Sequence, residues 1–130
     1  LMFALILRSD TTMMEGSVKS TRLDQQFQQI VHYLKQNYQT ADLTSLANKV
    51  NFSKQYVCKI VKEKTGDTFN TLLMNIRLEM VEQYLLESDL TLETISFLCG
   101  FTASSHLSKV FKNHYGISPS AYRKEHTQKL

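Results

Sequence analysis

The chain has 130 residues, room for one ordinary domain or two very small ones. At 42% hydrophobic and 21% charged it is balanced like a globular chain, which excludes wholesale disorder; one proline and four glycines exclude collagen-like, linker and turn-rich β-sandwich architectures. The formal charge of +3 is too mild to name a partner, so its distribution has to be followed along the chain.

Leu1-Met-Phe-Ala-Leu-Ile-Leu7 is an apolar run ended by Arg8. It is far shorter than the ~20 residues that span a bilayer, and no basic stretch precedes it as in a signal peptide. Residues 1–22 read as the end of an upstream segment followed by a Ser/Thr-rich linker, and the apolar run has either the domain or a neighbouring chain to cover.

From Leu23 onward the periodicity is helical. Phe27, Ile30, Val31, Leu34 and Tyr38 make one apolar stripe on a helix of about four turns. No stretch alternates long enough to suggest a half-buried strand, so the expected fold is all-α.

An internal repeat then appears. Asp42-Leu-Thr-Ser-Leu-Ala47 matches Thr91-Leu-Glu-Thr-Ile-Ser96, and Val50-Asn-Phe-Ser53 matches Cys99-Gly-Phe-Thr102, both at an offset of 49. Lys59-Ile-Val-Lys62 then falls on Lys109-Val-Phe-Lys112, and Gly66 on Gly116, at an offset of 50, so one residue is added at the second turn. Each copy opens with a residue able to cap free helical N–H groups. Each passes through a residue tolerant of positive φ, Asn51 or Gly100, and closes on a glycine suited to a left-handed helix end. Ser53 and Thr102 stand where a cap would begin the second helix of each copy.

The first copy spans 41–66 and the second 91–116, each a helix, a tight turn and a helix. Between them 69–87 reads as a long linker helix with Leu72, Leu73, Ile76, Met80, Val81, Tyr84 and Leu85 on more than one side. Its Glu79, Glu82 and Glu87 are expected on the solvent side. Ser118-Pro119 opens a last helix with Tyr122 turned inward, giving about seven helices in all.

Charge follows the same plan. Residues 49–64 carry Lys49, Lys54, Lys59, Lys62 and Lys64 against Glu63, a local sum of +4. Residues 67–93 carry Asp67, Glu79, Glu82, Glu87, Asp89 and Glu93 against Arg77, a sum of −5. Residues 106–126 return to +3 through Lys109, Lys112, Arg123 and Lys124 against Glu125. Two basic copies bracket an acidic spacer, and the first is expected to bind a polyanion more firmly.

Other chemistries find no support. Cys58 and Cys99 are too far apart in sequence for a CxxC site and too few for a disulfide framework; reduced thiols and a cytoplasmic location are expected. His32, His106, His114 and His126 show no zinc-ligand spacing, so no metal is expected. No phosphate-cradling or nucleophile-elbow motif occurs. Neither an enzyme nor a cofactor is expected.

A helix-turn-helix reads double-stranded DNA by laying its second helix in the major groove. In the first copy Val57, Ile60, Val61 and Lys64 share one face, opposite Lys54, Gln55, Cys58, Lys59 and Lys62. In the second, Leu107, Val110 and Phe111 face inward, opposite Ser104, Ser105, Ser108, Lys109 and Lys112. Lys59 and Lys109 sit at equivalent places with reach to guanine edges, and Gln55 carries the amide that suits adenine. Lys62 and Lys112 lie further along and suit phosphates, as do Ser53 and Thr102. The rival is a helical interaction module whose basic faces serve an acidic protein.

Gly100-Phe101, Ser108-Lys-Val-Phe-Lys112 and Tyr115-Gly-Ile-Ser-Pro-Ser-Ala-Tyr-Arg123 resemble the signature of the AraC/XylS family of bacterial transcription regulators. The resemblance covers about residues 24–127 and marks out 23–127 as the domain. It implies a DNA-binding domain whose two recognition helices enter successive major grooves. By position it implies base contacts from Lys54, Gln55, Cys58 and Lys59, and from Ser104, Ser105, His106 and Lys109. Arg77 matches the arginine that opens the family's linker helix. Val81 stands where the family has a small residue and Ala103 where an acidic one is common. The family also implies an upstream sensor or receiver domain missing from this chain, and RNA polymerase as a further candidate partner.

Overall fold

The computed structural model describes residues 18–127, and the apolar run at 1–7 lies outside them. Seven helices follow in order: α1 (Val18–Asn37), α2 (Leu43–Val50), α3 (Lys54–Thr65), α4 (Phe69–Glu87), α5 (Leu92–Leu98), α6 (Ser104–Tyr115) and α7 (Pro119–Thr127). No strand occurs among the described residues, so the all-α expectation holds. α1 is longer than its apolar stripe suggested. It reaches back to Val18, inside the stretch assigned to the upstream segment, because neither glycine nor proline interrupts Val18–Asn37.

Side chains and backbone conformation set the helix ends. Asp42 and Ser45 form a reciprocal box at the start of α2, Asp42 Oδ1 accepting from Ser45 N at 2.8 Å. Those hydrogen bonds hold the Asp42 carboxyl below its ordinary range. Asn51 ends α2 at φ +62°, and Ser53 Oγ begins α3 by accepting from Tyr56 N at 3.0 Å. Gly66 and Gly116, at φ +81° and +90°, end α3 and α6 with bonds to the carbonyls of Lys62 and Lys112. Ser118 Oγ accepts from Ala121 N, and the buried Pro119 begins α7. One cap differs from expectation. Thr102 does not begin α6: the added residue moves that position to Ala103, which has no side-chain oxygen, so α6 starts uncapped.

Two cores result. Ile30, Leu34, Leu46, Val57, Ile60 and Val61 meet Phe69, Leu73 and Ile76 of α4 in the first. Ile95, Cys99, Phe101, Leu107 and Phe111 meet Leu78, Val81 and Leu85 of the same helix in the second. The N-terminal half of α4 thus completes one unit and its C-terminal half the other, which is why its apolar residues follow no single stripe.

Two details of α4 depart from the sequence reading. Glu82 is half-buried instead of facing solvent, since it accepts hydrogen bonds from the hydroxyls of Tyr115 (3.1 Å) and Tyr122. Arg77 stands in the middle of the helix instead of opening it, where the two cores meet.

Candidate nucleic-acid interface

The N-terminal positions of α3 and α6 correspond one to one. Lys54, Gln55, Tyr56 and Lys59 of α3 match Ser104, Ser105, His106 and Lys109 of α6, counted from each helix start. Burial of Val57, Ile60 and Val61 fixes the roll of α3. Lys54, Gln55, Cys58, Lys59 and Lys62 are left exposed together on one side. Ser53 is exposed as well; its Oγ lone pair serves Tyr56 N, which leaves the hydroxyl proton free to donate.

On α6, burial of Leu107 and Phe111 leaves Ser105, His106, Lys109 and Lys112 exposed. Ser104 and Ser108 are half-buried, so the outward face is narrower than the spacing implied. Thr102 is exposed before the uncapped helix start. His106 repeats the geometry of its counterpart, its ring edge-on to Phe101 at 5.7 Å as Tyr56 is to Phe52 at 5.1 Å. Beyond that the two differ. Tyr56 is half-buried and donates to Gln26 Oε1 of α1 at 2.7 Å, whereas His106 stays exposed.

The charge of each face is also changed by pairing. Lys64 is engaged by Asp24 of α1. Arg123 is turned inward, donating to the carbonyls of Leu85 (3.0 Å), Leu90 (2.8 Å) and Ser88 (3.0 Å) where α4 ends. The outward faces therefore hold Lys54, Lys59 and Lys62 on α3 against Lys109 and Lys112 on α6. The asymmetry expected from the local sums survives, for a different set of residues.

Cys58 is an exposed free thiol on the α3 face and Cys99 a buried one. Burial pushes the Cys99 thiol up to about 12, in spite of the Arg77 cation. Among the described residues there is no cluster of three metal-ligating side chains, and no helix is long and apolar enough to cross a membrane.

Sequence reasoning missed what two half-buried arginines bind. Arg77 Nε donates to Tyr38 O at 2.7 Å and its Nη2 to Ala41 O at 3.3 Å, closing the turn after α1. Arg123 does the same after α4, so the helix that follows α3 or α6 fastens the turn that precedes its unit. No side-chain pattern signals this role, because the partners are main-chain carbonyls.

Two helix-turn-helix units with outward basic faces, sharing one central helix, define a helix-turn-helix DNA-binding domain. A family model described as a helix-turn-helix domain matches residues 46–125. The chain belongs to the AraC family of these domains, a family of transcription regulators and not of enzymes. It is 36% identical over 108 residues to the raffinose operon transcriptional regulatory protein RafR of Pediococcus pentosaceus. That match covers 82% of this chain and 38% of RafR, so the chain spans well under half of its relative's length. The C-terminal domain of AraT, a response regulator from Geobacillus stearothermophilus, superimposes with a TM-score of 0.70 at 28% identity, over 75% of this chain and 83% of that one. The DNA-binding domain of AdpA, solved in complex with a target DNA, shares the fold at a TM-score of 0.71 and 23% identity, over 77% and 91% of the two chains.

Proposed function

We propose that this chain is the DNA-reading part of a transcription regulator, binding double-stranded DNA sequence-specifically with α3 and α6 in successive major grooves. One observation carries the reading. Lys59 and Lys62 recur as Lys109 and Lys112 at the same positions of two helices, exposed in both, while the residues between them are buried or half-buried. Isolated surface lysines are commonplace, but duplicated ones on two outward helix faces match what a duplex requires.

In this reading Lys59 and Lys109 reach guanine edges and Gln55 an adenine edge. Lys54, Cys58, Ser104, Ser105 and His106 complete the base-facing set. Cys58 offers apolar contact to a thymine methyl, and half-buried Ser104 reads from the rim of the groove. Lys62, Lys112, Ser53 and Thr102 hold phosphates, with the free N–H groups of the uncapped α6 start beside Thr102. The acidic residues Glu79 and Glu87 of α4 are exposed, and repulsion keeps that side off the duplex. In the same reading the full-length protein joins this part to an upstream sensor or receiver domain, with RNA polymerase as a further partner at promoters.

Selection of random duplexes by the purified chain tests the reading. The expected result is a two-part motif with halves about one helical turn apart. A helical module for an acidic protein partner would enrich no sequence, and that result would overturn the proposal.

A further inference from the structure

Two recognition helices read one site only if their separation is fixed, and the interior of α4 is not the whole of what fixes it. Helix packing is extensive within each unit and onto α4. Beside α4, however, a crevice of about 320 Å³ lies between the units, lined by Tyr38, Gln39, Thr40, Tyr84 and Leu98 among others. Residues 38–41, the turn between α1 and α2, cross this gap.

That turn is held from both sides. Arg77 of α4 donates to Tyr38 O and Ala41 O, and Gln39 Nε2 donates to Phe97 O of α5 at 3.0 Å. Gly100 presses onto the same place: a Cβ built there would lie 2.7 Å from Gln39 O and 2.9 Å from Arg77 Nε. Among the described residues no carboxylate lies within ion-pair reach of Arg77, and the hydrogen bonds it makes are these two, from Nε and Nη2. The planar guanidinium bonds two of them in fixed geometry, which a lysine ammonium does not reproduce. Ala41 leads directly into the cap of α2, and Gly100 lies between α5 and α6. The clamp thus ties the base of one helix-turn-helix to the turn of the other.

We propose that Arg77 is a positioning residue for DNA recognition, whose clamp on residues 38–41 beneath Gly100 sets the placement of α3 relative to α6 and hence the half-site spacing the chain accepts. The spacing part rests on the two-groove reading above.

The test uses the exposure of Cys58 and the burial of Cys99. Adding Ser105→Cys gives one accessible thiol on each recognition helix for spin labels, and pulsed dipolar spectroscopy reads their separation without DNA. The parent should give one narrow distance distribution. Arg77→Ala should broaden it or shift it by about 2 Å, the scale of helix displacements at interfaces, and Arg77→Lys should not restore it. Val81→Ala, a core change that leaves the clamp intact, should keep the narrow distribution. If Arg77→Ala does not fold, Arg77→Lys decides, since it keeps the cation and loses the fixed two-carbonyl geometry. A parental distribution in the deciding variant overturns the proposal, and so does equal broadening by Val81→Ala. On the duplex selected by the parent, Arg77→Ala should lose about tenfold or more when both halves are present and little when one half is scrambled; equal loss on both overturns it. A parent that selects no two-part motif contradicts the two-groove reading, and the distance measurement still decides the role of Arg77.

Discussion

The Tyr122 hydroxyl donates to the Glu82 carboxylate, tying the last helix to the central one. Burial first, and the bond to Glu82 second, raise Tyr122 to about 12; Tyr115 moves in the same direction for the same causes. In the unfolded chain such a hydroxyl ionises near ~10. The folded state therefore holds the proton more tightly. The resulting stabilisation is complete below about pH 10 and is lost as the pH rises toward ~12. Urea denaturation across that window should show a shallower loss for Tyr122→Phe than for the parent. Parallel losses would show that the contact does not govern this titration.

Gly100 and Gly116 share φ +90° but differ in their surroundings. At Gly116 nothing among the described residues lies within 4 Å of a built Cβ, so Gly116→Ala meets only the left-handed strain, about 1–2 kcal/mol. At Gly100 the same methyl meets the Gln39 carbonyl at 2.7 Å, and the cost should exceed that of Gly116→Ala by at least ~1 kcal/mol. Denaturation midpoints of the two variants check the order. Equal midpoints would mean that the contact at Gly100 yields freely.

Two positions in the second unit offer added stability. Ala103 begins α6 without a side-chain acceptor, and Ala103→Ser should stabilise by about 0.5–1 kcal/mol. Ser96, 2% exposed, has a buried Oγ with no hydrogen-bond partner among the described residues, where the first copy has Ala47. Ser96→Ala should stabilise by about 1 kcal/mol by removing an unsatisfied hydroxyl. Thermal melts of both variants should move upward; a downward shift for Ser96→Ala would show that the hydroxyl is bonded.

The lysines of α3 should divide by role. Lys59→Ala is expected to cost about 1–3 kcal/mol on a selected site and to relax one base preference. Lys62→Ala should weaken binding to all sequences alike and lower the salt slope by about one. Lys109→Ala should cost less than Lys59→Ala, because α6 carries fewer free lysines and shorter neighbours. Titrations of the variants on matched and mismatched duplexes at several salt concentrations separate these outcomes.

The repeat made most of the fold legible. Caps and positive-φ residues are local chemistry, so Asp42, Asn51, Ser53, Gly66, Gly116 and Ser118-Pro119 announced the helix ends. Thr102 misled because an inserted residue moves a cap by one position without changing which residue types are nearby. Glu82 misled because a carboxylate on a helix reads as solvated until its partners, 33 and 40 residues onward, are brought to it by folding. Arg77 and Arg123 bond main-chain carbonyls, which no side-chain pattern reveals. The outward lysines were legible because burial of their apolar neighbours fixes the roll of each helix. Ser104 and Ser108 were not, since small residues at the edge of a face fit either side.

The central claim is that both helices read one duplex, and a hydroxyl-radical footprint on the selected site tests it most directly. Two protected stretches on one face of the duplex, about one helical turn apart, with the α3 half the more resistant to salt, are the predicted result. A single protected stretch, unchanged by Lys109→Ala, would contradict it.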